Sequence, residues 1–287
     1  MYKKILFPII GMSSVKTGMQ CAIEIARLND GHVEAICCRR VFEEPLPMAS
    51  EDWDPVELEN LLKSFEKEEK ARVSAARKAF DEVVNAAGVP YIQHPTAGDG
   101  LSVSWEVVRG RPADEIVARA GASDLVVAGR KEEGVGPLTR SIAEVSLFVS
   151  GRPVFIAPQE PPGTIGKNIV VGWNRSAAAG RSVHAALPML KTAETVRIVS
   201  VATNAKDGPA ASAMQEYLAL HGVTAALTEV DPDYRPVSEI LLDEAKDAGA
   251  DLLIMGAFSH SRLQELVLGG VTRDIFQKAD IPVLMAN

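Results

Sequence analysis

Residues 255–274 have the residue types and spacing best suited to binding an anion. Their sequence is MGAFSHSRLQELVLGGVTRD, in which the paired glycines Gly269 and Gly270 are followed by the hydroxyl of Thr272. Glycine lets main-chain amides approach an anion closely, and a helix N-terminus adds partial positive charge. The run therefore predicts a phosphate-binding loop that opens the last helix. The alternative is that the two glycines only make a tight turn.

Two other side chains have competing interpretations. Arg262 could contact a terminal phosphate, although an arginine at such a junction is more often solvated or paired with an acid such as Glu265. Trp173 is most simply a packing residue at a strand end, and stacking on a base is the second interpretation. We find no nucleophile with an accompanying base and no metal-ligand spacing, so no catalytic or metal-binding residue is predicted.

Composition limits the class of protein. The 287 residues suit two domains, and 30 basic residues against 38 acidic ones give a net charge of −8. Without a basic block, a nucleic-acid partner is not expected. No apolar run has the length of a membrane span or the form of a signal peptide, so we expect a cytoplasmic protein with no membrane partner. Cys21, Cys37 and Cys38 are predicted to be reduced core thiols.

The elements that must position the loop are strands alternating with helices, a pattern typical of parallel sheets with crossover helices. In the first half, KKILFPII, HVEAICCR, SVSWEVVRG, DLVVAGR and PVFIAP are predicted strands. Between them we predict helices over residues 13–31, 55–87, 112–121 and 138–149. The sequence thus predicts five strands and four helices.

The same order then recurs, which predicts an internal duplication. KNIVVGWNRS matches KKILFPIIGM, RPVSEI matches RPADEI, DLLIMGA matches DLVVAGR, and IPVLMAN matches RPVFIAP. PQEPPGTIG has the composition of a linker. We therefore predict two α/β domains of doubly wound, Rossmann-like fold, residues 1–160 and 163–287, each with its own five-stranded parallel sheet. Their last strands, near residues 153–157 and 282–286, are expected to meet at the junction.

Taken together, these motifs resemble those of tandem universal stress proteins. The family's nucleotide signature is glycine, two residues, glycine, nine residues, glycine, then serine or threonine. Here Gly256, two residues, Ser259, nine residues, Gly269 and Gly270 keep the spacing but depart at two positions. The resemblance implies a cleft for an adenine nucleotide such as ATP or AMP, with or without Mg²⁺. Its residues would be Gly172, Trp173, Asn174, Val201, Met255, Gly256, Ser259, Arg262, Gly269, Gly270, Val271 and Thr272.

The resemblance places no equivalent site in the first half. Ile10 stands where the family has a strand-end acid, Glu132 stands where it has the second glycine, and Ile142 and Ala143 replace the later glycine and hydroxyl. Gly134 and Gly136 in another register are the alternative. The first domain is therefore expected to be a structural partner in an intramolecular pseudo-dimer, and the whole chain is also compatible with a homodimer.

Two functions of different class follow. The first is a stress-response protein that binds an adenine nucleotide in its C-terminal domain and acts as a regulatory or protective module, with at most slow ATP hydrolysis because no general base is evident. The second is an interaction protein of the same fold that binds no nucleotide. The interleaved charges of residues 66–83 predict a solvated helix face rather than a partner surface.

Overall fold

The computed structural model describes residues 1–12, 14–40, 55–129, 142–202, 209–257 and 270–287, in which strands and helices alternate along the chain. The elements of the first half are β1 (Lys4–Ile9), α1 (Val15–Asn29), β2 (His32–Arg39), α2 (Pro55–Ala87), β3 (Ser102–Arg109), α3 (Pro112–Ala120), β4 (Leu125–Ala128), α4 (Ile142–Val149) and β5 (Val154–Ile156). Those of the second half are β6 (Asn168–Gly172), α5 (Ala177–Leu190), β7 (Thr195–Val201), α6 (Ala211–Leu220), β8 (Ala226–Val230), α7 (Val237–Asp247), β9 (Leu252–Gly256), α8 (Gly270–Lys278) and β10 (Val283–Ala286).

The strands within each half are parallel and share one order. The first half has the order β3-β2-β1-β4-β5, and the second half repeats it as β8-β7-β6-β9-β10. In both halves the first strand lies between the second and the fourth, so the strand order reverses beside β1 and beside β6. This repetition confirms the predicted fold class, and the predicted elements of the first half are confirmed with small shifts at their ends. Residues 138–141 of the fourth predicted helix lie outside the described residues.

The two sheets are joined, and here the prediction of two separate sheets is wrong. β5 and β10 pair antiparallel, with Phe155 opposite Leu284, so one sheet of 10 strands runs through both halves. The physical reason is that each fifth strand would otherwise leave a row of unpaired N–H and C=O groups at a sheet edge. The prediction that the last strands meet at the junction is confirmed. The boundary near Pro161 stays a prediction.

Two apolar cores cover the two faces of this sheet. Alternate strand residues point to opposite faces, as Phe7 and Leu6 do, and each core takes residues from both halves. Helices α1, α2, α5 and α6 cover one face, and α3, α4, α7 and α8 cover the other. The hydroxyl of Tyr2, just before β1, also donates to the carbonyl O of Ala185 at 2.6 Å, which ties the first half to helix α5 of the second. The halves therefore share their cores as well as their sheet.

The cysteines are confirmed as buried free thiols. Burial raises the pKa of Cys21 and of Cys38 to about 12, so neither thiol is activated as a nucleophile. Among the helices that the structure describes, none combines the length and the apolarity that a membrane crossing requires. Within the same residues, no group of three or more His, Cys, Asp or Glu side chains is placed to hold a metal ion.

Candidate nucleotide cleft

The candidate site of the second half lies where three parallel strands end. β6 pairs with β7 on one side and with β9 on the other, with Gly172 opposite Val199 and also opposite Met255. Ligands of open parallel sheets bind outside the carboxyl ends of the strands at this reversal of strand order. We call this region, formed by the ends of β6, β7 and β9 and the start of α8, the C-terminal cleft.

Trp173 is part of the wall of this cleft and packs in the core. Its side chain is 3% exposed, its main-chain N–H donates to the carbonyl O of Val199 at 2.8 Å, and its indole N–H donates to the carbonyl O of Pro209 at 3.1 Å. The packing interpretation of Trp173 is therefore confirmed. The indole holds the chain beyond β7 against the end of β6.

Asn174 lies on the exposed side of the same strand end. Its Oδ1 accepts from the main-chain N–H of Ser176 at 3.2 Å and from the Ser176 hydroxyl at 2.7 Å. The Ser176 hydroxyl in turn accepts from the N–H of Ala179 and caps helix α5. Because Oδ1 of Asn174 is used inside the turn, the side-chain atoms that the described residues leave for a ligand are its amide N–H groups.

The last residue of β9, Gly256, has no room for a side chain because the main chain of α5 lies against it. A Cβ at this position would lie 2.5 Å from the N atom of Ala179 and 2.9 Å from the carbonyl carbon of Ala178, closer than real Cβ contacts. The glycine thus lets the first turn of α5 pack on the strand end. Met255 is buried, at 5% exposure, and Val201 at the end of β7 is half-buried.

The start of α8 lies at the same edge of the sheet. The hydroxyl of Ser238, in the first turn of α7, donates to the carboxylate of Asp274 at 3.0 Å and holds the first turns of the two helices together. Gly270 is exposed, and a Cβ there would meet no atom of the described residues within 4 Å. Val271 is half-buried and Thr272 is 4% exposed. The predicted site residues Ser259, Arg262 and Gly269 lie outside the described residues.

The corresponding region of the first half, the N-terminal cleft, is formed by the ends of β1, β2 and β4, and an arginine of α2 enters it. Arg72 donates from Nη1 to the carbonyl O of Ile10 at 2.5 Å and from Nη2 to the carbonyl O of Cys38 at 2.6 Å. Its Nη2 also lies 2.9 Å from Oε2 of Glu69. Arg40 binds the other oxygen of Glu69 from Nε at 2.7 Å. We call Arg40, Glu69 and Arg72 the arginine bridge.

The carboxylate at the centre of the arginine bridge is strongly stabilised as an anion. The side chain of Glu69 is 1% exposed and that of Arg72 is 12% exposed. Burial by itself would raise the pKa of Glu69, but hydrogen bonds and charge from Arg72 and Arg40 outweigh it and lower the pKa to about 2. The bridge therefore stays ionised at neutral pH.

The arginine bridge corrects the sequence interpretation of α2. Most charges of this helix are exposed, as predicted for a solvated face; the side chains of Lys63 and Lys70 are 70% and 69% exposed. Glu69 is buried instead, and Arg72 is half-buried. The available signal was helical spacing, because Glu69 lies on the same helix face as Ala76 and Phe80, which are buried in the core.

Comparisons with known proteins agree with this geometry. The family model described as the universal stress protein family matches residues 1–145 and again residues 166–287. The chain belongs to the universal stress protein family. The two matches, one in each half, account for the repeated strand order.

Individual universal stress proteins match shorter segments of sequence. One from Synechocystis is 32% identical over 99 residues, which is 26% of this chain and 34% of that protein. One from Methanocaldococcus jannaschii is 38% identical over 49 residues, 17% of this chain and 30% of that protein. The chain thus matches about a third of the length of these curated relatives.

Solved structures of the family match along the whole chain. A universal stress protein from Archaeoglobus fulgidus superposes with a TM-score of 0.67 at 14% identity, covering 99% of this chain and 98% of that one. A protein of Pseudomonas aeruginosa assigned to the universal stress proteins gives a TM-score of 0.56 at 16% identity, covering 99% and 92%. At this identity the likeness shows the shared fold.

Proposed function

We propose that the chain binds an adenine nucleotide such as ATP or AMP, alone or with Mg²⁺, in the C-terminal cleft. We propose further that it acts in the cytoplasm as a regulatory or protective stress-response module, with at most slow ATP hydrolysis. The observation that supports nucleotide binding most is the difference between the two clefts. In the first half Arg72 occupies the strand-end carbonyls, whereas no described side chain donates to the main-chain carbonyl of Asn174 or Val201.

The strand-end positions offer suitable contacts to a nucleoside. The carbonyl of Val201 can accept a hydrogen bond from the amino group of adenine, and the amide N–H groups of Asn174 can donate to ribose oxygens. Trp173 holds this wall in place through its bond to Pro209. These contacts suit a neutral base and sugar, because they contain no ionised side chain.

The start of α8 offers a contact to phosphate. No atom of the described residues lies within 4 Å of the Cβ position at Gly270, and the first turn of a helix presents unpaired main-chain N–H groups and partial positive charge. An anion at this position would accept from the N–H groups near Gly270 and Val271. Within this proposal, Gly269, Ser259 and Arg262 complete the phosphate end, and the Thr272 hydroxyl assists from the buried side of the helix.

Isothermal titration of the full chain tests the proposal. We expect saturable binding of ATP with one site per chain, weaker binding of GTP because its base lacks the adenine amino group, and unchanged or tighter binding of ATP by Ser259→Gly. Absence of ATP binding at millimolar concentration in both proteins would contradict nucleotide binding. It would favour the interaction protein of the same fold.

A further inference from the structure

The guanidinium group of Arg72 lies in the N-terminal cleft in the position that a bound ligand would take. Pairing of Pro8 with Ile36 in the first half corresponds to pairing of Gly172 with Val199 in the second. Two residues beyond these pairs stand Ile10 and Cys38 in one half, and Asn174 and Val201 in the other. The guanidinium of Arg72 donates to the carbonyls of both first-half residues.

We propose that Arg72 is an internal ligand of the N-terminal cleft, which closes this cleft so that one chain takes one ligand. The inference rests in part on the proposed function, since it determines how many nucleotides a chain can hold. In this inference Arg72 blocks the N-terminal cleft, and Glu69 holds Arg72 in position. A planar group with several N–H donors fits between the two carbonyls and the carboxylate.

The contacts of Arg72 show that the position is built rather than fortuitous. Its five nearest acceptor contacts lie between 2.5 and 3.2 Å, and they involve the ends of two strands and the carboxylate one turn earlier on the helix. Glu69 is itself fixed by the main-chain N–H of Arg40 at 3.0 Å. The carboxylate therefore remains in position when Arg72 is shortened.

Charge also favours a closed cleft. The bridge holds two guanidinium groups on one carboxylate, and the buried group is the one that bonds to the strand ends. If a ligand displaced the Arg72 guanidinium, the buried carboxylate of Glu69 would lose a cation. A neutral base could not supply that positive charge. Among the described residues of the second half, no arginine or lysine makes the equivalent contacts to Asn174 or Val201.

Chemical rescue in the full chain tests the internal ligand without a nucleotide. Arg72→Ala leaves the two carbonyls and Glu69 facing a space of guanidinium shape, so ethylguanidinium at millimolar concentration should raise its thermal midpoint. The expected rise is about 1–3 °C at a few times the dissociation constant. Wild type and Lys70→Ala, a matched change at an exposed position of α2, should show no rise. An equal response of all three proteins, or none in Arg72→Ala, would overturn the inference.

A second variant tests whether the response depends on the buried carboxylate, and the ATP stoichiometry of wild type tests the closed cleft even where Arg72→Ala fails to fold. Glu69→Gln combined with Arg72→Ala removes the buried carboxylate whose charge Arg72 balances, and it should fold but lose the ethylguanidinium response at least several-fold. A full response in this double variant would overturn the inference. ATP stoichiometry separates it from the proposed function: one site per wild-type chain supports both, two sites overturn the closed cleft, and no site overturns the nucleotide proposal while the rescue result still decides on Arg72.

Discussion

Removing the hydroxyl of Ser182 is predicted to destabilise the packing of β10, the strand through which the second half joins the first. Ser182 lies on α5, is fully buried, and donates to the carbonyl O of Ala178 at 2.9 Å. It also accepts from the main-chain N–H of Ala286 at 2.8 Å, in the joining strand β10. Ser182→Ala therefore leaves a buried N–H without an acceptor.

The size of the effect follows from that unpaired donor. Leaving a buried polar group unsatisfied costs about 1–3 kcal/mol, more than the loss of the hydroxyl's own donation to a helix carbonyl. Ser123→Ala is a matched control. Its buried hydroxyl also donates to a carbonyl four residues earlier, that of Arg119 at 3.2 Å, but no N–H of the described residues donates to it. We expect Ser182→Ala to lose about 1–3 kcal/mol more of unfolding free energy than Ser123→Ala.

Urea unfolding of the two variants and wild type gives these free energies. Amide hydrogen exchange adds a local measurement, because the protection of Ala286 should fall by about 5- to 150-fold in Ser182→Ala, the factor that corresponds to 1–3 kcal/mol. Equal losses of unfolding free energy in the two variants, with unchanged exchange at Ala286, would refute the reasoning.

Two further predictions concern stability. Burial lowers the pKa of His32, whose ring lies 2.9 Å from the hydroxyls of Ser102 and of Ser104. Since the unfolded chain then binds the proton more readily, the unfolding free energy should fall as pH drops below about 6.5, by up to about 1.4 kcal/mol per unit, and His32→Gln should flatten this slope. Gly256→Ala should destabilise by about 1–3 kcal/mol in urea unfolding, since its Cβ meets main chain, whereas Gly180→Ala, with nothing within 4 Å, should stabilise slightly. A flat pH profile in wild type, or equal effects of the two glycine changes, would contradict these expectations.

Most of the fold could be predicted because each element has a local sequence pattern and the set of patterns occurs in both halves. Alternating β-branched runs and helical runs predict the elements, and recurrence of the motifs predicts that the two halves share one arrangement. The joining of the sheets could not be predicted in the same way. Whether the edges of β5 and β10 pair or stay apart depends on how two halves meet, and neither strand's sequence contains that information.

The candidate site was predictable in part for the same reason. Topology alone predicts that a ligand binds beyond the strand ends, because parallel strands end at one edge. The family resemblance then named the particular residues there, such as Asn174 and Val201. The arginine bridge did not follow, since Arg72 meets carbonyls of Ile10 and Cys38 that are distant in sequence. A charged residue is expected to be solvated unless a partner is known, and two of the partners of Arg72 are main-chain carbonyls.

The central claim is that an anion of the nucleotide binds against the start of α8. Gly270→Val fills open space at the first residue of that helix, and Gly121→Val makes the same change in a helical conformation at another open position, remote from the cleft. Titration of ATP into the full-length proteins should show about 5- to 150-fold weaker binding for Gly270→Val, the loss expected for buried hydrogen bonds, and unchanged binding for Gly121→Val. ATP binding of equal affinity in wild type and in Gly270→Val would contradict the claim.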